Sequence, residues 1–479
     1  MKKVIIASLV LAMTLVPAGL KAADKPLKKS VSWEQFNMHN VMLPQIGEIK
    51  TIQSDGSGNS YWSVGCETLD RDYADFKKYK HLFHDLGVGY ARVQSGWEKT
   101  EQEKGVYDYA WLDEIVDGLL EQGVIPWLSL SYGNVIYGSS RDHIETMVAK
   151  DNMKAWLKYV ETTVQRYSAK GVHVYEIWNE PNLRDRKCQY FPELLWRTAE
   201  QIRKVDPQSE ILAIGLSGMG PSYVKKCLDE LKRKGKIDCI DKISYHAYYR
   251  NPDEVVANAD SLKALCRQYS DKLDVIQGEA GCPSQLEYTH AMRDLPWTEY
   301  KQAKWDARRM ATDFSLGIHS SIFTMVDLRY TNMLQSFGLV RMNLLSEPQY
   351  LRPSYYTVQH MCSILTTDIK PNLSVTCNAE TRKEVRVVGL EKEGKIVGAM
   401  LWYCGEMPTD ELEKEIVNVT LYGLNLVHPA YIDAITGKVY DLGSCVLSGG
   451  NFAGRLKLTR LPMWDAPIII LNKDCINLK

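Results

Sequence analysis

The sequence predicts an α/β fold in which a (β/α)₈ barrel of the TIM type is followed by a C-terminal antiparallel β-sandwich. Eight short β-rich runs lie between residues 61 and 325, and segments with apolar residues three and four positions apart separate them. Eight successive strand–helix units favour a closed parallel barrel over an open sheet. After residue 366 the pattern changes to alternating runs broken by glycine-containing turns, which is typical of a sandwich.

Each barrel strand is predicted from a short run of β-branched, aromatic and aliphatic residues. These runs cover residues 61–65, 89–93, 124–130, 173–177, 210–215, 242–245, 273–277 and 321–325. The helices between them are predicted from apolar stripes, of which Met153, Trp156, Val160 and Val164 form one. In the sandwich, the alternating runs cover residues 384–388, 395–402, 417–421, 430–435 and 468–471.

The chain divides into a predicted signal peptide (residues 1–22), a barrel with an N-terminal extension (residues 31–365) and a sandwich (residues 366–479). Lys2 and Lys3 precede an apolar run over residues 4–16, and small residues follow up to Ala23, which is the layout of a secretory signal peptide. The apolar run is too short to span a bilayer. We therefore expect an exported protein, periplasmic or secreted, with no membrane span.

Composition excludes several other classes of protein. Hydrophobic residues make up 45% of the chain and charged residues 24%, so disordered and fibrous structures are excluded. The 58 Lys and Arg residues against 59 Asp and Glu give a net charge of -1, so no nucleic-acid partner is expected. The eleven Cys include no Cys-x-x-Cys pair, which argues against a zinc site and a dense disulfide framework, although one or two bridges stay open.

Two glutamates lie where a barrel of this type gathers its working groups, at the carboxyl ends of the strands. Glu180 follows the fourth predicted strand and Glu279 ends the seventh, so their carboxyl groups are expected to face each other across the barrel mouth. Two carboxyl groups about 5 Å apart, one ionised and one protonated, are what double-displacement hydrolysis of a glycosidic bond needs. The alternative is a structural ion pair or an inactive site.

Side chains near other strand ends are expected to set the protonation states of these two carboxyl groups. Arg92 ends the second strand and Tyr248 follows the sixth, and both are expected to donate to the nucleophilic carboxylate and keep it ionised. The acid is expected to stay protonated beside a negative charge and away from cations. For Glu67, Glu98 and Asp327 we expect a hydroxyl ligand or a solvated charge.

Aromatic residues with a polar group dominate, since 27 Tyr and 12 Trp stand against 8 Phe. Trp97 and Trp297 follow the second and seventh strands, where their rings are predicted to stack on the C–H face of a sugar. The alternative is that both rings pack inside the protein. Trp178 lies beside Glu180, and the alternative to sugar stacking for this ring is that it packs beneath the site.

Other chemistries lack their motifs. The sequence contains no His-Glu-x-x-His metal motif, no Gly-x-Ser-x-Gly nucleophile elbow, no Walker loop and no Gly-x-Gly-x-x-Gly fingerprint. General acid/base and carboxylate chemistry would suffice without a metal or an organic cofactor. The sequence thus predicts no cofactor.

The motifs at these strand ends resemble those of a known group of enzymes. Asn179-Glu180-Pro181, His246-Ala247-Tyr248 and Gly278-Glu279 are similar to the retaining glycoside hydrolases of clan A. With Arg92, Trp97 and the terminal sandwich, the resemblance is closest to family 39 and its neighbours. It implies that Glu180 is the general acid/base, Glu279 the nucleophile, Asn179 a ligand of the sugar 2-hydroxyl and His246 a residue lining the site, with Arg92 and Tyr248 orienting Glu279.

The function predicted from these features is an exported retaining glycoside hydrolase that acts through a glycosyl-enzyme intermediate on an oligosaccharide or polysaccharide. Long loops after the third, seventh and eighth strands favour exo action on a terminal sugar. The alternatives are an inactive carbohydrate-binding barrel and a transglycosylase that uses the same two carboxyl groups.

Overall fold

The structure is a computed structural model that describes residues 27–39, 41–139 and 142–479. The predicted signal peptide, residues 1–22, lies outside the described residues. Within the described ranges, no helix combines the length and the apolar character needed to cross a membrane.

Eight parallel strands close into a barrel, which confirms the predicted fold class. The strands follow one another around the barrel in chain order, and the eighth pairs with both the first and the seventh. They are β1 Trp62–Gly65, β2 Tyr90–Gln94, β3 Ile125–Leu130, β4 Val174–Ile177, β5 Glu210–Ser217, β6 Lys242–His246, β7 Asp274–Ala280 and β8 Ser320–Ile322. Because all eight run in one direction, their carboxyl ends meet at one mouth.

Helices cover the outside of the barrel, and most of the long ones bury one face. The predicted stripe on the helix Lys150–Ser168 is buried, as its spacing of three and four residues requires. The described helices are Val31–Met38, Phe83–Leu86, Trp97–Thr100, Ala110–Glu121, Ile144–Met147, Lys150–Ser168, Phe191–Val205, Pro221–Lys234, Val255–Arg267, Glu299–Ser315 and Pro353–Ile364.

The helix Glu299–Ser315 is buried on nearly all sides because it lies between the barrel and the sandwich. On one side, Arg309 donates to the carbonyl oxygen of Ala247, directly after β6, at 3.0 Å. On the other side, the ammonium of Lys304 lies 2.6 Å from a carboxylate oxygen of Asp465 in the sandwich. This helix therefore links the two units through buried polar contacts.

The sandwich consists of a seven-stranded and a four-stranded antiparallel sheet. In sheet order, the larger has Ile369–Asn372, Val385–Lys392, Lys395–Tyr403, Ile468–Asn472, Pro429–Asp433, Lys438–Asp441 and Gln45–Glu48. The smaller has Thr376–Ala379, Glu415–Tyr422, Arg455–Met463 and Val446–Phe452. Short strands near the mouth are Lys28–Lys29, Leu328–Tyr330, Met333–Gln335, Val340–Met342 and Pro348–Leu351.

One strand of the sandwich comes from the N-terminal part of the chain. Gln45–Glu48 pairs with Lys438–Asp441 at the edge of the larger sheet. The predicted boundary at residue 366 leaves this strand out, because four mostly exposed residues at a sheet edge carry no apolar alternation that would mark them.

Candidate active site

Glu180 and Glu279 both lie at the barrel mouth, where the sequence places them. Glu279 belongs to β7, and Glu180 follows β4 on a backbone turn with a φ of 51°, fixed by a 2.8 Å hydrogen bond from its N–H to the carbonyl of Gly215. A non-glycine residue in this left-handed region costs about 1–3 kcal/mol and is typical of functional sites. The side chain of Glu180 is 24% exposed and that of Glu279 is 15% exposed, so both can reach a ligand.

The two carboxyl groups lie within reach of a single imidazole. The Nδ1 atom of His246, at the end of β6, lies 3.2 Å from Oε1 of Glu180 and 3.7 Å from Oε2 of Glu279. These two oxygens therefore cannot be farther apart than the sum of both distances, 6.9 Å. Retaining glycosidases place their carboxyl groups about 5–5.5 Å apart, whereas inverting enzymes leave about 6.5–9.5 Å for a water molecule. The upper limit of 6.9 Å is compatible with the retaining arrangement and reaches only the lower end of the inverting range.

Two donors hold Glu279. The hydroxyl of Tyr248 donates to Oε1 at 2.6 Å, and Nη1 of Arg92 donates to Oε2 at 3.1 Å. Burial and the negative charge of Glu279 raise the pKa of Tyr248 well above its ordinary value, so Tyr248 stays protonated and remains a donor. Both contacts stabilise the ionised form of Glu279, as expected of a nucleophile.

Arg92 is fully buried on β2 and organises the floor of the site. Its Nε and Nη2 atoms lie 2.7 and 2.6 Å from Oε2 of Glu176, and Nη2 also donates to Oδ1 of Asn179 at 2.8 Å. Its Nη1 donates to Glu67 and to Glu279, at 3.1 Å each. Arg92 thus donates four hydrogen bonds and makes one further short ion-pair contact, and it fixes the positions of three carboxylates and one amide.

Asn179 is fixed from both ends of its amide. While its oxygen accepts from Arg92, its nitrogen donates to the hydroxyl of Tyr132 at 2.9 Å. Gln94 also donates to this hydroxyl, at 3.2 Å. Tyr132 therefore belongs to the site, and the cue for it in the sequence is its place one residue beyond Ser131, just after β3.

The electrostatics at Glu180 differ from the prediction that the acid lies away from cations. Burial raises the pKa of Glu180, but the hydrogen bond and charge of His246 outweigh it, and the net shift is downward. Burial lowers the pKa of His246, but the charge of Glu279 and the hydrogen bond to Glu180 outweigh it, and the net shift is upward. The free site thus favours a protonated His246 beside an ionised Glu180.

Glu67 and Glu176 are part of the site in a way that the sequence analysis did not predict. Glu67 was expected to be a hydroxyl ligand or a solvated charge, but its side chain is 2% exposed and is bound to Arg92. Glu176 is fully buried and bound to the same guanidinium. A charged residue inside a four-residue barrel strand such as β4 must find a buried partner, and this signal could have identified Glu176.

The two predicted sugar-stacking rings are buried, so this prediction was wrong. Trp97 is fully buried, and its Nε1 donates to Glu101 at 2.6 Å while its ring stacks on Tyr137. Trp297 is 3% exposed and donates to the carbonyl of Met292 at 2.8 Å. The alternative of packing within the protein applies to both, because Trp97 packs against Trp156 and Tyr159 and Trp297 lies in an apolar cluster with Ala280, Cys282 and Trp305.

Trp178 and Asp327 also have structural roles. Trp178 is buried and packs edge-on against the ring of Tyr132, beneath the site. Asp327 accepts two hydrogen bonds from the buried guanidinium of Arg352, at 2.7 and 2.9 Å. It therefore fixes the loop after β8 and does not face a ligand.

A cavity of about 400 Å³ adjoins the site on the side of Tyr132. Its wall includes Arg71, Glu98 and Asn134, from the loops after β1, β2 and β3. Arg71 donates to Gln94, which in turn donates to Tyr132, so the cavity and Asn179 are connected by hydrogen bonds. Among the residues that the structure describes, no group of three or more His, Cys, Asp or Glu side chains could hold a metal ion.

Comparison with known proteins finds similarity to the same group of enzymes that the strand-end motifs resemble. The model of the glycosyl hydrolases family 39 matches residues 53–273, which include Arg92, Asn179, Glu180 and Tyr248. A β-xylosidase of Caldicellulosiruptor saccharolyticus is 27% identical over 220 residues, which cover 40% of this chain and 44% of the relative. The match thus spans less than half the length of this relative.

Solved structures share the fold over most of the chain. A family 39 glycoside hydrolase from Bacteroides cellulosilyticus WH2 superposes with a TM-score of 0.67 at 18% identity, covering 89% of this chain and 83% of that one. A monomeric β-xylosidase from Caulobacter crescentus CB15 gives a TM-score of 0.56 at 14% identity, covering 89% and 97%. Together with the sequence match, they confirm the predicted resemblance of this chain to the glycosyl hydrolases of family 39.

Proposed function

We propose that the protein is a retaining glycosidase in which Glu279 is the nucleophile and Glu180 the general acid/base. One observation carries the proposal: two accessible carboxyl groups lie within 6.9 Å of each other, and only Glu279 has the two donors, Arg92 and Tyr248, that suit a nucleophile. The name of the β-xylosidase relative makes β-xylosides the first substrates to test.

In the first step, Glu279 attacks the anomeric carbon while the leaving oxygen takes a proton from Glu180. That proton is available from His246, because Nδ1 lies 3.2 Å from Oε1 of Glu180. The Nε2 atom of His246 is buried and has no hydrogen-bond partner among the described residues, so the second proton on the ring is held only by the charges of Glu279 and Glu180. As Glu279 loses its charge to the new bond, the pKa of His246 falls and the proton passes to Glu180.

In the second step, Glu180 takes a proton from water, which attacks the glycosyl ester and releases Glu279. Asn179 is placed to bind the sugar 2-hydroxyl, since Arg92 and Tyr132 fix its amide between them. Hydrogen bonds to this hydroxyl that strengthen in the transition state contribute several kcal/mol in such enzymes.

Turnover of a panel of aryl glycosides, with β-xylosides first, tests this proposal. We expect Glu279→Ala to lose activity and to regain it with azide as an external nucleophile, which yields a glycosyl azide. The matched control is Glu393→Gln, because Glu393 is an exposed glutamate on a turn of the sandwich. Inversion at the anomeric carbon would exclude Glu279 as the nucleophile, and glycan binding without cleavage would favour an inactive binding barrel.

We also propose that the enzyme acts on terminal sugars and is exported. Two short hairpin pairs follow β8, Leu328–Tyr330 with Met333–Gln335 and Val340–Met342 with Pro348–Leu351, and they support a walled pocket. Release of single sugars from reduced oligosaccharides tests exo action, whereas release of internal fragments contradicts it. N-terminal sequencing of protein recovered from the periplasm and the medium tests export and the cleavage site.

A further inference from the structure

The floor of the site carries more negative than positive charge. One guanidinium, Arg92, contacts the carboxyl groups of Glu67, Glu176 and Glu279, and it is fully buried. A single cation cannot neutralise three carboxylates in a site with little water, so at least one of the three must carry a proton or meet a further cation. After Arg92, the cation that lies near Glu279 is protonated His246, whose Nδ1 is 3.7 Å from Oε2 of Glu279.

Glu67 is held less tightly by Arg92 than Glu176 is, and it shares a nitrogen of that cation with Glu279. Its Oε1 accepts from Nη1 at 3.1 Å, and the same Nη1 donates to Glu279 at 3.1 Å. Its Oε2 lies 3.4 Å from the hydroxyl of Thr324, which donates more closely to the carbonyl of Gly65 at 2.7 Å. Glu176 takes two shorter contacts from Arg92, at 2.7 and 2.6 Å, although both fall on Oε2 and its buried Oε1 has no hydrogen-bond partner among the described residues. The charges of Glu67 and Glu279 are therefore the two that compete for one N–H-bearing nitrogen of Arg92.

The surroundings of Glu67 favour its protonated form. Burial raises the pKa of Glu67 to about 7, with Arg92 opposing the shift and Glu279 reinforcing it. No cation other than Arg92 contacts Glu67 in the part of the chain that the structure describes. The titratable or charged groups that face it are Arg92, Glu279, Cys66, Tyr79, Tyr248 and Tyr330.

We propose that Glu67 is a positioning residue that balances the charge of the nucleophile: it holds a proton while Glu279 is a carboxylate and releases it when Glu279 becomes a neutral glycosyl ester. This inference rests on the proposed glycosidase function. Arg92 then faces the same total negative charge in the free enzyme and in the intermediate.

The steps balance in atoms and charge. As the bond from Glu279 to the anomeric carbon forms and the bond to the leaving oxygen breaks, that oxygen takes the proton of Glu180, and Glu67 gives its own proton to solvent. When water hydrolyses the ester, its hydroxyl goes to the anomeric carbon and its proton to Glu180, Glu279 becomes a carboxylate again, and Glu67 takes a proton back from solvent. No oxidant, metal or co-reactant is needed.

This exchange has a kinetic consequence. An ionised Glu67 repels the carboxylate of Glu279 in the free enzyme and repels it less in the transition state, where that charge is partly lost. Ionisation of Glu67 therefore raises kcat/KM, by about tenfold for each unit by which the pKa of Glu67 falls between the two states. A neutral residue at position 67 cannot provide this gain at alkaline pH.

The kinetic test compares the wild type with Glu67→Gln on a 2,4-dinitrophenyl glycoside, whose leaving group needs no proton from Glu180. We expect the ratio of the two kcat/KM values to rise about tenfold between about pH 5.5 and about pH 8.5. Glu393→Gln, the matched control at an exposed turn of the sandwich, should give a flat ratio. Glu67→Asp keeps a titratable group, so its own kcat/KM should rise with pH as that of the wild type does. This comparison remains available even if Glu67→Gln folds poorly. A flat ratio for Glu67→Gln overturns the proposal.

A second measurement does not depend on turnover. Infrared difference spectra between the wild type and Glu67→Gln should show one protonated carboxyl that titrates near pH 7. The same difference in a Glu279→Gln background should titrate at lower pH, because the neighbouring charge is gone. An unchanged midpoint, or no protonated carboxyl at acidic pH, overturns the role of Glu67. If no glycoside is cleaved, the proposed function fails, and the infrared result still decides the coupling between the two residues.

Discussion

Removing the charge of Arg92 should destabilise the protein in a way that depends on pH. Arg92→Met keeps most of the side-chain volume but leaves Glu176, which is fully buried, without its cation. Glu176 must then be protonated in the folded state. Holding a glutamic acid protonated at pH 7.5, about three units above its unfolded pKa, costs about 4 kcal/mol, whereas at pH 5.5 the cost is about 1.5 kcal/mol. Glu67, whose pKa is raised to about 7, also loses its cation, and this adds to the loss at pH 7.5 and almost nothing at pH 5.5.

The sign follows from linkage. In the variant, the folded pKa of the uncompensated carboxyl lies above its unfolded value, so stability is highest in acid and falls as pH rises toward the folded pKa. Urea unfolding followed by tryptophan fluorescence at both pH values measures the difference. The control is Arg166→Met, which breaks a surface ion pair with Asp113 and should cost less than about 1 kcal/mol. An equal loss at both pH values would refute the charge argument.

Three further predictions concern single side chains. Tyr248→Phe removes the 2.6 Å donor to Glu279 and should lower kcat/KM by about 10- to 100-fold, as expected for a charge-assisted bond worth about 1.5–3 kcal/mol; wild-type activity in this variant would show that Arg92 suffices. The raised pKa of His246 should put the alkaline limb of the kcat/KM profile above pH 6.5. In His246→Gln this limb should move to lower pH, because only Glu180 then holds the proton. A limb that does not move would show that His246 and Glu180 do not share this proton. Trp297→Ala should cost about 3–5 kcal/mol of stability without changing KM, and a raised KM at unchanged stability would restore the stacking role.

The positions of Glu180 and Glu279 could be predicted because parallel strands align their carboxyl ends. Once eight strand–helix units are recognised, the position of a residue relative to the end of its strand gives its height in the barrel. Arg92, Glu180, Tyr248 and Glu279 all lie at strand ends or directly after them, and the structure brings them together within hydrogen-bond distances. Sequence periodicity alone was sufficient for this part of the site.

The rest of the site depends on side-chain directions that periodicity does not determine. Trp97 begins a short helix and Trp297 precedes a long one, and each indole turns inward because an acceptor, Glu101 or the carbonyl of Met292, lies there. The charge balance around Arg92 depends on distances between three different strands. A pattern along one strand contains no information about these distances.

The sandwich also bears on the site, because its contact with the barrel is polar and buried. The indole of Trp402, on a sandwich strand, donates to Asp253 at 3.0 Å, and Asp253 also binds Arg308 on the helix Glu299–Ser315. The same helix contacts the backbone directly after β6 through Arg309, next to His246 and Tyr248. Buried polar groups lose about 1–3 kcal/mol each when their partners are removed. The sandwich thus stabilises the element that supports the β6 end of the site, although Arg92, Glu180, Tyr248 and Glu279 all belong to the barrel.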